Sequence, residues 1–342
     1  MFFSSIKFIN VVVFCAVVVG SVGAAPLKVR RQLAKRVPSE DTLFPLGRGV
    51  ASWTTHAGAS GALELNDDAF RPTKIGGGPG HAYLDAPDGV FSMRAHYPEG
   101  SFKPSAQPVG GISFYAPGPE GVDLTTAKEA TFGYSIMFPD GFEFVKGGKL
   151  PGFYGGNSDS VATSCSGGRR DSACFSARLM WRTDGQGEFY TYLPPFTDPQ
   201  FAANERQCEF PNSDCNPTYG ASIGRGSFSF AAGQRTTVAE RVRLNDDGVA
   251  NGELELFVEG ASIIKLGGLI LRDSDAGKIR GIQMQTFFGG SSPDWATPKD
   301  QDVFFSDFSV AITETFDGQK ARRSISKKEG DWFKPTDGET FK

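Results

Sequence analysis

From about residue 45 to residue 312 the apolar positions of this chain fall in short runs or alternate with polar ones, and clusters of Gly, Pro, Asn and Asp separate the runs. Alternation has the period of two that places successive side chains on opposite faces of a strand. Strands are predicted at 91–96, 130–138, 174–182, 188–193, 236–244, 253–259, 279–288 and 303–312, with no helical periodicity between them. Several short strands at regular spacing imply an all-β, antiparallel fold, a β-sandwich or a barrel. The segment NDDGVANG at 245–252 superficially resembles a calcium loop but lacks the full alternation of acidic positions, and is read as a hairpin turn.

The alternation is clearest along Cys174–Arg182, where Phe175, Ala177, Leu179 and Trp181 form a core-facing set and Ser176, Arg178, Met180 and Arg182 face the other way. In the next strand Phe189, Thr191 and Leu193 oppose Glu188, Tyr190 and Tyr192, and Thr183–Gly187 between them has the composition of a hairpin turn. A register pairing Arg182 with Glu188 sets Met180 opposite Tyr190 and Arg178 opposite Tyr192, gathering Ser176, Arg178, Tyr190 and Tyr192 on one surface; a slip of one residue would separate them. On these residues alone an ordinary cross-strand patch, with Arg stacked on Tyr, explains the same pattern. Upstream, GGKLPGFYGG at 147–156 holds Lys149 between glycine pairs and a proline, on a backbone able to approach a ligand closely or in a loop with a solvated lysine.

The ends depart from this pattern. Residues 1–24 carry Lys7, an apolar stretch from Phe8 to Val19 and small residues ending in Val22-Gly23-Ala24, which reads as a secretory signal peptide. The stretch is shorter than the ~20 residues a membrane span requires. Lys28, Arg30, Arg31, Lys35 and Arg36 follow and include two dibasic pairs, so 25–36 is read as a pro-segment trimmed in a fungal-type secretory pathway, or else as a plain basic linker. The expected domain is 37–312, secreted and extracellular, without membrane contact once the signal is removed. The polar segment 313–342, with Arg322-Arg323 and Lys327-Lys328, is expected to be a flexible or processed tail to which Trp332 and Phe333 give some capacity to dock.

Composition narrows the function. Hydrophobic residues are 39 % of the 342, with 30 Phe, enough for a sizeable core, whereas 3 His make a multi-histidine metal or haem site hard to build. No metal and no cofactor is expected. Removing residues 1–36 leaves 29 basic against 39 acidic residues, a net charge of −10, which argues against nucleic acid as a partner. A polyanionic ligand would have to be met by Arg and Lys focused locally. Of the 5 Cys, Cys15 lies in the signal segment, leaving Cys165, Cys174, Cys208 and Cys215. Four cysteines in an oxidising compartment imply two disulfides; of three pairings the nearest-neighbour one, Cys165–Cys174 and Cys208–Cys215, closes two short polar loops and is the one expected. The spacings do not match the C-x₂-C pairs of a zinc site.

The motifs GGKLPGFYGG, CFSARLMWR and EFYTYLPP at 147–195, with TFFGGSSPDWATPKDQ at 286–301 and the closing FSDFSVAI, resemble the polysaccharide lyase family 14 domain, found in secreted fungal proteins and in alginate and glucuronate lyases of algal viruses and molluscs. The resemblance covers roughly residues 45–312. It implies a β-jelly roll with substrate in a cleft over one sheet, and a catalytic set of Lys149, Ser176, Arg178, Tyr190 and Tyr192.

Those residue types suit β-elimination from a 4-linked uronate, in which the C5 proton is acidic only once the neighbouring carboxylate is neutralised. Arg178 can neutralise it in bidentate geometry and Lys149 can add charge. A tyrosine whose pKa a nearby cation lowers can act as base, or as acid toward the leaving O4, a role that falls to Tyr190 or Tyr192. Ser176 would hydrogen-bond the carboxylate or position a tyrosine. Gln283 and Gln285 alternate onto one strand face, where they and Glu188 could contact the sugar. A glycoside hydrolase would need two inward carboxylates, and Glu188 has no convincing mate. His56, His81 and His96 are read as structural. The expected partner is an acidic polysaccharide and the expected state a monomer; the alternatives are a non-catalytic carbohydrate-binding jelly-roll module and a surface interaction protein.

Overall fold

The computed structural model describes residues 37–76, 80–216 and 218–320. The signal and pro-segment at 1–36, and the tail from 321 on, lie outside the described residues. In chain order the strands are β1 (Ala51–Thr54), β2 (His81–Asp85), β3 (Phe91–Tyr97), β4 (Ile112–Ala116), β5 (Ala127–Met137), β6 (Gly147–Gly156), β7 (Cys174–Arg182), β8 (Gln186–Tyr192), β9 (Asp214–Cys215), β10 (Ala221–Ser229), β11 (Arg235–Arg243), β12 (Gly252–Val258), β13 (Ala261–Leu269), β14 (Lys278–Phe288) and β15 (Gln301–Thr315). All eight predicted runs are among them. The first sheet has the order β13-β12-β11-β5-β15-β3-β2 with β1 also on β15, and the second the order β4-β14-β6-β7-β8-β10-β9. Two antiparallel sheets packed face to face make this a jelly-roll β-sandwich rather than a barrel.

The core lies between the sheets, where the alternation sends one side chain in two. Phe132 of the first sheet meets Phe153 of the second with ring centroids 5.6 Å apart, Phe308 stacks on Phe132, and Trp181 packs edge-on against Phe288 at 5.3 Å. Burying each ring contributes roughly 2–3 kcal/mol, which is why so Phe-rich a sequence closes as a sandwich. NDDGVANG is the β11–β12 connection, with Arg243 paired to Glu253 on either side of it. The last strand runs to Thr315, past the boundary expected at 312, and Phe316 packs against the core. Both nearest-neighbour disulfides, Cys165–Cys174 and Cys208–Cys215, are formed.

GGKLPGFYGG is a central strand, not a loop, and its glycines allow close strand packing. A Cβ on Gly148 would lie 2.1 Å from the Trp181 ring, and one on Gly152 would lie 2.0 Å from the Ala177 carbonyl oxygen and 2.6 Å from Arg178 Cα. Only glycine lets β6 sit this close to β7.

Candidate active site

The face of the second sheet turned away from the first carries every residue of the expected cluster. Ser176 pairs with Tyr192, Arg178 with Tyr190 and Met180 with Glu188. The register is therefore two residues away from the expected one, because the turn is a tight one at Thr183–Gly185 in which Asp184 takes a left-handed φ of 58°, and Gln186 and Gly187 already belong to β8. A two-residue shift preserves the faces, so the grouping survives.

Lys149 reaches this face through an irregularity. In β6 Lys149 pairs with Met180 and Leu150 with Leu179, but Gly152 pairs with Arg178, so Pro151 is an extra residue, a β-bulge. Lys149 and Tyr154 are five apart and would sit on opposite faces of a regular strand. With the bulge both face the site, while Leu150 and Phe153 both enter the core. Lys149 Nζ rests 3.6 Å from the centroid of the Tyr190 ring and against the Met180 sulfur.

The remaining contacts form a connected network. Arg178, 1 % exposed, donates from Nη1 to Gln285 Oε1 at 3.0 Å, and its Nε has no hydrogen-bond partner among the described residues. Gln283 Nε2 donates to the same Gln285 oxygen at 2.6 Å, and Gln285 Nε2 to Ser113 Oγ at 2.9 Å. The Tyr190 and Tyr192 rings meet edge to face at 5.9 Å. Tyr190 Oη accepts from Gly220 N–H at 3.1 Å and Tyr192 Oη from Gly168 N–H at 3.0 Å, so a disulfide-tied segment caps or adjoins each phenol. Ser176 Oγ donates to the Cys165 carbonyl at 2.8 Å, which commits its proton to that loop.

Glu188 is fully buried: Arg182 at 2.6 Å and Arg225 at 3.1 Å take its two oxygens, and Ser222 donates at 2.6 Å to the one Arg225 uses. Both oxygens being occupied, it anchors two arginines. The three histidines lie away from this face, each on an aspartate: His56 with Asp307, His81 with Asp67 and His96 with Asp302. Tyr115, Tyr154 and Arg182 belong to the surface as well; Tyr115 and Tyr154, 4.7 Å apart, extend it toward a depression of about 500 Å³ lined by Lys74, Thr163 and Arg280. Parity along β4 would have offered Tyr115, but a bulge invisible in sequence decides the face of Tyr154.

Electrostatics set the protonation states. Burial holds the Lys149 amine well below the usual lysine range, and the Arg182 and Arg178 guanidiniums push it the same way against the opposing pull of Glu188. Burial also raises the Tyr190 phenol, reinforced by Tyr192 and opposed by Arg178 and Arg182. The expected lowering by a neighbouring cation is thus outweighed at Tyr190, which stays a neutral phenol. Arg178 is likewise lowered by burial, with the tyrosines opposing.

Comparison with known proteins accords with this arrangement. No match was found among curated proteins compared by sequence. The fold is similar to the alginate lyase of family 14 from the marine Aplysia kurodai, at 31 % identity over 68 % of this chain and 87 % of that one with a TM-score of 0.60. It is also similar to the alginate lyase vAL-1 from Chlorella virus, at 25 % identity over 71 % of this chain and 93 % of the other, TM-score 0.57. The model of the family described as polysaccharide lyase 14 matches residues 86–308, more than half the chain and all of the clustered face, and on that ground the protein belongs to polysaccharide lyase family 14.

Proposed function

We propose that this lyase is exported and cleaves 4-linked uronate polymers of the alginate or glucuronan kind by β-elimination. The observation that carries the reading is a lysine amine, depressed in pKa, lying against a neutral tyrosine on the face where Arg178 keeps an unsatisfied donor. Arg178, oriented by Gln285 and through it by Gln283, receives the uronate carboxylate and makes C5–H acidic. The neutral Lys149 amine takes the C5 proton. The electron pair of that bond becomes the C4=C5 double bond as C4–O4 breaks, and the Tyr190 phenol gives its proton to the departing oxygen. The Lys149 ammonium then returns a proton to the adjacent phenolate. Tyr192 and Ser176 hold the geometry through the Cys165–Cys174 loop, and Glu188 fixes Arg182 and Arg225 as flanking positive charge. The alginate lyases among the similar structures support the substrate class, and the signal-like sequence at 1–24 together with two disulfides supports export.

The test is the ultraviolet absorbance of the conjugated product on glucuronan, polymannuronate, polyguluronate and a neutral glucan. Absorbance is expected to rise on at least one uronate polymer and not on the glucan, and Tyr190→Phe to abolish the rise while the polymer still binds. Binding without any rise for the unaltered protein would identify a carbohydrate-binding module instead; full activity in both Tyr190→Phe and Tyr192→Phe would remove the tyrosines from the mechanism.

A further inference from the structure

A buried carboxyl in the core between the sheets takes no part in the steps above. Glu240 of β11 is 1 % exposed and points from the first sheet toward the second. Its Oε1 accepts the backbone N–H of Phe153 at 2.5 Å, and its Oε2 has no partner among the described residues. Beside it, Tyr134 of β5 donates from Oη to the Pro151 carbonyl at 3.1 Å. The two are neighbours, since β11 and β5 pair Val238 with Tyr134 and Glu240 with Phe132. Both polar ties cross the sandwich and end on the bulged segment 151–153.

That segment determines which way Lys149 faces. Without the extra residue the parity of β6 would send either Lys149 or Tyr154 into the core. A bulge leaves backbone groups outside the ladder, and here, without these two partners, the Phe153 amide and the Pro151 carbonyl would be stranded in an apolar interior, which is unfavourable. Such a site is more simply filled by a leucine unless the polar group has a task.

We propose that Glu240 and Tyr134 are positioning residues that hold the β6 bulge and thereby keep Lys149 on the catalytic face beside Arg178 and Tyr190, an inference that rests on the lyase reading of that face. Burial raises the Glu240 carboxyl well above the usual range, so the tie is made by a neutral acid without an unpaired charge in the core.

The experiment compares Glu240→Gln, Glu240→Leu and Tyr134→Phe in the full chain. Glu240→Gln keeps an acceptor oxygen for Phe153 N–H and is expected to stay within about threefold of wild-type kcat. Glu240→Leu and Tyr134→Phe are expected to lose roughly tenfold or more in kcat with KM little changed, at temperatures where circular dichroism shows the sheets intact. Should Glu240→Leu not fold, Tyr134→Phe, which deletes one oxygen, decides. Wild-type kcat in folded Glu240→Leu or in Tyr134→Phe, with only a lowered melting temperature, would reduce the pair to core packing and overturn the proposal. Hydrogen exchange at the Phe153 amide separates this from failure of the lyase reading: protected in wild type and Glu240→Gln but fast in Glu240→Leu, it reports the tie even on a protein without turnover, whereas equal protection in all three would show that the tie does not exist.

Discussion

At Lys149 one side chain can supply charge or take a proton, and burial decides between them. An ammonium beside two guanidiniums in an apolar setting is disfavoured, so its proton comes off at lower pH than in water. On the proposed mechanism the amine is the active form, and because its pKa is lowered the rise of kcat with pH should come below the ordinary lysine range near ~10.4 and flatten above the depressed value. Lys149→Arg preserves a cation that cannot act as base. It is expected to lose about 10²–10⁴-fold in kcat and to lose the rise with pH. Activity near wild type in Lys149→Arg would mean that the lysine only supplies charge and that a tyrosine is the base. The residue types at this site were legible in the sequence, but their partners were not. Glu188 has the sequence position of a sugar contact and the environment of a buried anchor, because Arg225 comes from a strand 37 residues on. Likewise the sign of the Tyr190 shift depends on how deeply the ring is buried, which spacing cannot reveal.

Elements with strict alternation, such as β7, β8 and β12, were legible to within a residue or two, because one buried face against one polar face leaves a period of two in the sequence. β6 was not, since Gly and Pro break that period and are also the residues that make loops. What they mark here is a bulge and a close strand approach. The disulfide loops show a second limit: their pairing could be read from spacing, but not that Gly168 of the first loop holds the Tyr192 phenol, nor that Arg170 reaches across to the Asn216 and Tyr219 carbonyls beside the second. Opening the first loop with Cys165→Ala and Cys174→Ala together should lower stability by roughly 2–3 kcal/mol. The sandwich should remain folded at 25 °C, yet kcat should fall about tenfold as Tyr192 loses its cap and Ser176 its anchor. Thermal melting and initial rates on the same sample separate the two effects, and a lowered melting temperature with unchanged kcat would make the disulfide a staple only.

Across the whole molecule the proposed substrate sets an acidic polymer against an acidic protein. The chain carries a net −4, and −10 without residues 1–36. On the face of the first sheet turned away from the second, positive charge is matched by carboxylates: Arg241 sits between Glu129 and Glu253, and Lys265 lies 3.3 Å from Glu255. On the site face Arg178 bonds the neutral Gln285, and Arg182 and Arg225 share the one buried carboxylate of Glu188, so positive charge is in excess there among these residues. Attraction is therefore local and repulsion global, and salt screens them over different distances. At ~0.01 M ionic strength the Debye length is about 30 Å and the approaching polymer feels the whole negative protein; at ~0.15 M it is about 8 Å, the distant charges are screened, and contacts at Arg178 persist. Near ~1 M, with a screening length of about 3 Å, those contacts weaken as well. On a uronate polymer kcat/KM should accordingly rise from low to intermediate salt and fall again at high salt, while kcat at saturating polymer stays nearly flat. A monotonic fall from the lowest salt would mean that the field at the cleft is positive well beyond the named residues.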